Sequence, residues 1–204
     1  MLRIETLRYD APDATALIEE VQQEYVIRYG GPDGTPVDPA EFTPPGGLFL
    51  VGYVDAEGVA CGGWRSHGTD AELKRMYVRR SARRGGLARE LLAELERTAA
   101  AAGHHRMILE TGSKQPEAVA LYRSAGYADV PAFGYYADAP LAIHLARHGR
   151  IGFGEQIEIR QGAEIGRPSV LYATVAGEGD RIDSVEVGGM ALIVAEGRFR
   201  ITPG

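Results

Sequence analysis

The sequence changes character within the stretch Glu72 to Leu92, which reads Glu-Leu-Lys-Arg-Met-Tyr-Val-Arg-Arg-Ser-Ala-Arg-Arg-Gly-Gly-Leu-Ala-Arg-Glu-Leu-Leu. Its first part, Leu73 to Val78, is typical of a strand, whereas from Leu87 the leucines recur at helical spacing. The turn between them, Arg83 to Gly86, is basic and carries two glycines that can take positive φ. Free backbone N–H groups at a helix start attract anions. The stretch therefore predicts a phosphate-binding turn, although a helix start with solvated arginines is the alternative for the turn alone.

The surrounding residues make the prediction more specific. Val-x-x-x-x-Arg-x-Gly-Gly-Leu-Ala, placed after Glu-Leu-Lys-Arg-Met-Tyr, resembles the acetyl-CoA-binding core of the GNAT family of N-acetyltransferases. In this resemblance the family's Arg/Gln-x-x-Gly-x-Gly/Ala turn falls on Arg83, Gly86 and Ala88. Arg84 stands where a glycine is usual. The resemblance implies acetyl-CoA as the co-substrate.

A second motif follows in the expected order. The segment Ile108 to Tyr127 resembles the next strand and helix of the same family and ends in its Leu-Tyr-x-x-x-Gly-Tyr/Phe motif, with Gln115 where asparagine is usual. The resemblance covers about Leu2 to Arg147, and we take residues 1–147 as a GNAT acetyltransferase domain. It implies an α/β (α+β) fold with a mixed, mainly antiparallel sheet and helices on both faces.

The local patterns agree with this fold class. Strand patterns at Leu2 to Tyr9, Leu48 to Val54, Val59 to Arg65 and Thr69 to Val78 predict a meander before the turn. Crossover helices on either side of Arg106 to Thr111 predict one parallel pair at the centre of the sheet. The stretch Gly30 to Gly47 holds five prolines and five glycines and is predicted to be irregular, either a functional lid or a disordered loop.

Composition excludes several classes of protein. The chain has 204 residues and a formal net charge of −6, and its only basic cluster is the turn itself, so no nucleic-acid partner is expected. A single cysteine, Cys61, excludes an internal disulfide framework and suits a reducing cytoplasm. No apolar run has the length of a membrane span, so no membrane partner is expected. His104 and His105 have no third ligand spaced near them, so no metal site is expected.

The composition changes after His148-Gly149. From residue 151 the chain shows alternating β patterns, predicted to be joined at Gly177-Glu-Gly-Asp180 and at Gly188-Gly189. The segment from about Gly154 to Phe199 resembles the C-terminal part of the PhzF family of phenazine-biosynthesis isomerases. The part of that family that carries its catalytic glutamate has no counterpart here, so the resemblance does not imply isomerase activity. We take residues 151–204 as a PhzF-like β appendage, too small to be secure alone and a possible homodimer interface.

The GNAT resemblance also assigns candidate site residues. Met76 and Val78 would hold the pantetheine arm, with the Val78 N–H polarising the thioester carbonyl. Gln115 would hydrogen-bond the cofactor or, alternatively, cap its helix. The remaining cofactor contacts are assigned to the turn: Arg83, Arg84, Gly85, Gly86, Leu87 and Ala88.

Two residues are candidates for proton transfer. Glu72 begins the central strand, where this family often places a general base, and an exposed strand glutamate is the alternative. Tyr122 lies in the Leu-Tyr motif, where the resemblance implies a general acid for the departing thiolate, and a buried core tyrosine is the alternative.

The predicted function is direct N-acetyl transfer from acetyl-CoA to a small-molecule amine. Specificity is expected to reside in the segments Phe133 to Leu141 and Gly30 to Gly47. Tyr25, Tyr29 and Tyr136 could line an amine pocket through cation–π contacts or pack in the core. A non-catalytic acyl-CoA-binding module with a protein-docking appendage and, less consistent with the sequence, a PhzF-like isomerase remain as alternatives.

Overall fold

The structure, a computed structural model, describes residues 2–148, 156–161, 169–178 and 181–189. Contacts divide the chain into two compact units, Met1–Gly149 and Arg150–Gly204. The first unit contains three helices and seven strands, and the second contains three described strands.

The elements of the first unit follow in this order: β1 Arg3–Leu7, α1 Pro12–Tyr29, β2 Gly47–Val54, β3 Glu57–His67, β4 Asp70–Val78, α2 Leu87–Ala101, β5 Arg106–Gly112, α3 Pro116–Ser124, β6 Ala128–Asp129 and β7 Ala142–His148. Glycines with positive φ follow each helix, at Gly30, Gly103 and Gly126. Glycine is favoured there because it has no Cβ to oppose the left-handed conformation. Each helix therefore ends within two residues of a glycine that can adopt this conformation.

The seven strands form one sheet in the order β1-β2-β3-β4-β5-β7-β6. Every neighbouring pair is antiparallel except β4 and β5, which are parallel. This pair is joined only over Ala71↔Met107, Glu72↔Ile108 and Leu73↔Leu109, although the strands continue to Val78 and Gly112. The far half of β4 is thus left without a ladder partner on its β5 side.

A β-bulge lies in that far half of β4. The register with β3 passes from Gly63↔Lys74 to Cys61↔Tyr77, so two residues of β4, Arg75 and Met76, face a single residue of β3. Arg75 has a φ of 56°, a left-handed conformation that is uncommon for a residue with a side chain. The bulge re-aims the side chains that follow the paired half of the strand.

The sheet separates two apolar cores. On one face, α2 packs through its buried leucines Leu91, Leu92 and Leu95 against residues such as Leu50 and Leu73. On the other face, α1 packs Leu17 and Val21 against Phe49, Val51 and Cys61. Successive strand residues point to opposite faces, which is why Phe49 and Leu50 belong to different cores. The predicted α/β class, with helices on both faces of a mainly antiparallel sheet, is confirmed.

The stretch predicted to be irregular contains one short ordered turn. A 3-10 turn at Pro39–Phe42 begins at Asp38, whose side chain accepts a hydrogen bond from the Ala40 N–H, and it places Phe42 in the α1 core at 2% exposure. Composition alone does not reveal this turn, because the burial of Phe42 depends on the fold of the sheet.

The second unit shows an antiparallel sheet in the order β10-β9-β8, formed by β8 Gln156–Gln161, β9 Ser169–Glu178 and β10 Arg181–Gly189. The link expected at Gly177 to Asp180 coincides with the end of β9 at Glu178 and the start of β10 at Arg181. Gly188 and Gly189, predicted to join two segments, are instead paired within β10 to Tyr172 and Leu171. The end of the segment that resembles the PhzF family, from residue 190 to Phe199, lies outside the described residues.

Candidate active site

The turn between β4 and α2 has the backbone that an anion site needs. Gly86 caps the N-terminus of α2 with a φ of 83°. The other left-handed residue of the turn is Arg84, with a φ of 69°, and not Gly85. Arg84 stands where the GNAT pattern usually has a glycine, and its backbone takes the left-handed conformation that glycine favours. The first N–H groups of α2 have no intrahelical partners and remain available to a phosphate.

The two arginines of the turn have different surroundings. The Arg83 guanidinium donates to the Val78 carbonyl at 2.8 Å and to the Glu24 carboxylate at 2.6 Å, and it lies over the Tyr77 ring. Arg83 thus ties the turn to β4 and to α1. Arg84 is exposed. The charge offered freely to a ligand is therefore that of Arg84.

A cavity of about 610 Å³ lies beside this turn, and we call it the turn cavity. It extends from the turn along the far half of β4 to α3. The predicted cofactor residues that line it are Met76, Val78, Arg83, Arg84, Gly86, Leu87, Ala88 and Gln115, together with Tyr122. Gly85 and Glu72 are not among its lining residues. The structure therefore brings together most of the predicted cofactor contacts along one groove.

A second cavity, of about 400 Å³, opens between the separated ends of β4 and β5, and we call it the loop cavity. The three tyrosines suggested for an amine pocket, Tyr25, Tyr29 and Tyr136, all line it. Both segments expected to carry specificity also contribute, through Gly31, Pro32, Asp33 and Thr35 and through Tyr136, Ala139, Pro140 and Leu141.

Asp33 connects the loop after α1 with the segment before β7. Its carboxylate accepts hydrogen bonds from the Tyr136 hydroxyl at 2.9 Å and from the Thr35 N–H at 2.9 Å. It also forms an ion pair with Arg75, the buried bulge residue of β4. The Tyr136 hydroxyl in turn accepts from the Gly34 N–H at 2.7 Å. The loop after α1 therefore forms an ordered wall of the cavity.

The turn cavity and the loop cavity share the residues Tyr25, Met76, Gln115, Ala118 and Tyr122. The Tyr122 side chain is 7% exposed, and its hydroxyl lies 3.6 Å from the Met76 sulfur. Burial raises the pKa of Tyr122, so the hydroxyl keeps its proton through the neutral range. A protonated donor therefore stands where the two cavities meet.

Gln115 lies at the N-cap position of α3, but its side chain makes no capping hydrogen bond. The alternative role considered from the sequence, a helix cap, is thus not what the structure shows. Because Gln115 lines both cavities, its amide is free to contact a ligand in either of them.

Glu72 is buried and lines neither the turn cavity nor the loop cavity. It is 1% exposed, and its carboxylate accepts hydrogen bonds from Arg65 at 2.8 Å and from Lys74 at 2.7 Å. Burial alone would raise the pKa of Glu72, but the charges and hydrogen bonds of Lys74 and Arg65 outweigh burial and lower it. The alternative of an exposed strand glutamate is wrong, and the role of general base stays a prediction.

Sequence reasoning missed Glu110 on β5. Its carboxylate lines the loop cavity and accepts a hydrogen bond from the buried Lys74 at 3.0 Å. The only signal in the sequence is a charged residue directly after the apolar run Met107 to Leu109 on the strand parallel to β4. Only the structure shows that the Glu110 side chain lines the loop cavity, because β4 and β5 stop pairing after Leu73 and Leu109.

The remaining sequence candidates lie outside both cavities. Cys61 is buried, and burial raises the pKa of its thiol. His104 contacts the Thr69 carbonyl and the Ser66 hydroxyl at the surface. Within the described residues no group of three or more His, Cys, Asp or Glu side chains could hold a metal ion. None of the helices in the described ranges is both long and apolar enough to span a bilayer.

Comparison with known proteins places two families on this chain. The acetyltransferase (GNAT) family matches residues 14–127. The phenazine biosynthesis-like protein family matches residues 98–197. An IAA acetyltransferase from Azospirillum brasilense is 35% identical over 133 residues, which are 64% of this chain and 87% of that protein.

The C-terminal part has a different relative. The trans-2,3-dihydro-3-hydroxyanthranilate isomerase of Pseudomonas aeruginosa is 55% identical over 75 residues, covering 33% of this chain. The chain spans only 27% of the length of that isomerase.

Among solved structures, a putative acyl-CoA N-acyltransferase from Klebsiella pneumoniae superposes with a TM-score of 0.61 and 28% identity. The superposition covers 72% of this chain and 97% of that one. The similarity thus extends over nearly the whole of that enzyme.

Proposed function

This chain belongs to the GNAT family of acetyltransferases, and from that premise we propose that it transfers the acetyl group of acetyl-CoA to the amine of a small molecule bound in the loop cavity. The observation that carries the proposal is the meeting of the two cavities at Met76, Gln115 and Tyr122. Two ligands that occupy them at once would have their reacting groups side by side, as direct transfer in a ternary complex requires.

The residues of the turn cavity fit acetyl-CoA, the co-substrate of this acyltransferase family. The turn from Arg84 to Ala88 offers backbone N–H groups and one free positive charge for the pyrophosphate. The unpaired edge of β4 from Met76 to Val78 offers strand-like hydrogen bonds to the pantetheine arm. Acetyl-CoA supplies an activated thioester, and the chain supplies alignment and proton transfer.

We assign roles at the shared wall as follows. The Val78 N–H polarises the carbonyl, and Gln115 hydrogen-bonds the pantetheine or pyrophosphate region. The Tyr122 hydroxyl gives its proton to the departing thiolate. Glu72 is the candidate base from the sequence, but it is buried and lines neither cavity.

The acceptor is proposed to be a cationic amine. The loop cavity is lined by three tyrosine rings and by the carboxylates of Asp33 and Glu110, which pair with the lining cations Arg75 and Lys74. Tyrosine rings suit an ammonium group through cation–π contacts. The name of the Azospirillum relative, IAA acetyltransferase, supports acetyl transfer in this branch of the family.

For the C-terminal unit we propose an assembly or packing role, with a homodimer as one form of it. The matched segment covers only about a quarter of the isomerase, which does not support isomerase chemistry. Exposed Val185 and Val187 on β10 are apolar positions of the kind that assembly covers.

The deciding experiment measures free thiol release from acetyl-CoA by the purified chain across a panel of alkyl and arylalkyl amines. Amine-dependent release, with the acetylated amine identified by mass spectrometry, is the expected result. Acetyl-CoA binding without turnover on any amine would support instead the alternative of a non-catalytic acyl-CoA-binding module.

A further inference from the structure

Five charged side chains form a continuous series from the surface to the loop cavity. We call it the charge ladder, and its members in order are Glu41, Arg65, Glu72, Lys74 and Glu110. Successive members lie 2.6, 2.8, 2.7 and 3.0 Å apart, and side-chain exposure falls from 44% at Glu41 to 5% at Glu110. The ladder contains three carboxylates and two cations, so it carries one net negative charge.

Each cation of the ladder is shared by two of its carboxylates. Lys74 donates to Glu72 and to Glu110, and Arg65 donates to Glu41 and to Glu72. Glu72 is thus held between two cations, whereas Glu110 has only Lys74, which it shares. Among the ladder carboxylates, Glu110 is the only one that lines the loop cavity. An acceptor in the cavity can therefore reach the ladder at Glu110.

The contacts of Glu110 leave room for a proton. One carboxylate oxygen, Oε2, accepts from Lys74, and the other, Oε1, accepts from the Tyr136 N–H at 3.2 Å. A carboxylate has about four acceptor positions, so each oxygen keeps a free lone pair. The Tyr136 loop approaches closely because Gly134 has no side chain: a Cβ there would lie 3.0 Å from Oε1.

The titratable and charged groups that face Glu110 come from four elements. The nearest are Lys74 on β4 and His144 on β7, whose Nε2 lies 3.4 Å from Oε1. Tyr136, in the segment before β7, connects Glu110 to Asp33 and hence to Arg75. The His144 side chain is 7% exposed and packs edge-on against Phe133.

We propose that Glu110, and not Glu72, is the base that takes the proton of the acceptor ammonium, and that Glu72 acts only by positioning Lys74. The inference rests on the proposed amine acetyltransferase function. In the step, an N–H bond of the ammonium breaks and an O–H bond forms on Glu110. The freed nitrogen lone pair forms the C–N bond to the thioester carbon as the C–S bond breaks, and the departing sulfur takes the proton of Tyr122. The amide nitrogen then loses its surplus proton to the Tyr122 phenolate, which leaves a neutral amide, the coenzyme A thiol and one proton on Glu110.

The test compares the pH profiles of kcat/KM for Glu110→Gln, Glu72→Gln and the unmodified chain. The substrate is the aliphatic amine that the unmodified chain acetylates with the highest kcat/KM, chosen from a panel that includes phenylethylamine. Wild type should show a plateau at neutral pH. Glu110→Gln should lose roughly 10²–10⁴-fold at pH 7 and then gain about tenfold per pH unit up to the pKa of the amine, because only free amine can react. Glu72→Gln should keep the plateau.

Control measurements separate a chemical effect from a structural one. Acetyl-CoA affinity and melting temperature should be alike in Glu110→Gln and in Glu94→Gln, a neutralising change on the outer side of α2. An aromatic amine such as aniline, already neutral at pH 7, should react at similar rates with wild type and Glu110→Gln. If Glu110→Gln fails to fold, Glu110→Asp decides: a lower kcat with the plateau kept supports the inference, and an unchanged kcat overturns it.

The outcomes distinguish the two proposals. If the wild-type chain acetylates no amine, the proposed function fails, and this inference fails with it. If the wild type is active and Glu110→Gln keeps both its rate and its plateau, only the assignment of the base is wrong. Loss of the plateau in Glu72→Gln, with Glu110→Gln unaffected, would return the role of base to Glu72.

Discussion

At the scale of single residues, the site depends on groups held in unusual environments. Arg75 has a left-handed backbone conformation inside a strand, Tyr122 is a buried hydroxyl at the junction of two cavities, and Glu24 is a buried carboxylate on α1. Strained or desolvated residues of this kind cluster at functional sites because the surrounding structure must stabilise them for a reason other than folding. Their individual contributions can be measured by conservative substitution.

Tyr122→Phe keeps the ring and removes the hydroxyl. If Tyr122 protonates the thiolate, kcat should fall by roughly 10²–10⁴-fold with little change in acetyl-CoA affinity. Tyr127→Phe is the matched control, because Tyr127 is also buried and packs on the Tyr122 ring but lines neither cavity. Steady-state kinetics and calorimetry measure the two effects. A Tyr122→Phe enzyme that turns over like wild type would make this tyrosine a packing residue.

Glu24 should make stability depend on acid. Burial alone would raise the pKa of Glu24, but hydrogen bonds from Arg83 and Arg28 lower it below the ordinary value of 4.5. A lowered pKa in the folded state adds stability above the unfolded value, and that stability is lost as pH falls through the folded value.

Melting temperatures of wild type and Glu24→Gln measured from pH 7 to pH 3 should therefore differ most at pH 7 and converge in acid. Each kcal/mol lost corresponds to roughly 2–4 °C in a chain of this size. Glu19→Gln, at an exposed position of the same helix, is the control and should leave the curve unchanged. Parallel curves for wild type and Glu24→Gln at every pH would contradict this account.

At the scale of elements, the turn from β4 into α2 sets the position of the phosphate site. Gly86 caps the helix in a left-handed conformation, and Arg83 fastens the turn to Glu24 of α1. The turn is thus held by two helices: by α2, which begins there, and by α1, through the ion pair between Arg83 and Glu24.

Replacing Gly86 by valine tests this geometry. A Cβ at Gly86 would meet no atom within 4 Å, so the cost comes from the backbone conformation and from the ligand that must approach it. Acetyl-CoA affinity measured by calorimetry should fall steeply. Gly103→Val at the other end of α2 has the same positive φ and the same open surroundings and should lose stability without losing affinity. Equal affinity in Gly86→Val and wild type would remove the turn from the binding site.

At the scale of the whole molecule, the chain joins two units with different relatives. The first unit contains both cavities and every predicted site residue. The second is a small antiparallel sheet, and the match to phenazine biosynthesis-like proteins that covers it, at residues 98–197, begins within the first unit. Acetyl transfer is therefore expected to reside in the first unit.

Truncation after His148 should leave acetyl-CoA binding intact in the folded fraction and lower solubility, melting temperature or oligomer size. Binding by calorimetry, size by light scattering and thermal melting measure these separately. If the truncated chain were as soluble, stable and monomeric as the full chain, the β appendage would have no assembly role. If it stayed folded and lost acetyl-CoA, the appendage would belong to the site.

The sequence by itself determined the features that local chemistry specifies. The glycines at 30, 103 and 126 end their helices because each must adopt positive φ, and the periodicity change near Gly86 reveals the strand, turn and helix. The strand and helix patterns, together with the resemblance to the GNAT family, predicted the fold class. Each of these depends on residues a few positions apart in the chain.

Only the tertiary structure decided where the site faces. Asp33 and Tyr136 are 103 positions apart yet share a hydrogen bond, and the early end of β4–β5 pairing opens the cavity between them. The same geometry buries Glu72 between Lys74 and Arg65 and places Glu110 at the wall of the loop cavity. Burial and direction depend on contacts between distant segments, so two glutamates that look equivalent in the sequence have different surroundings in the fold.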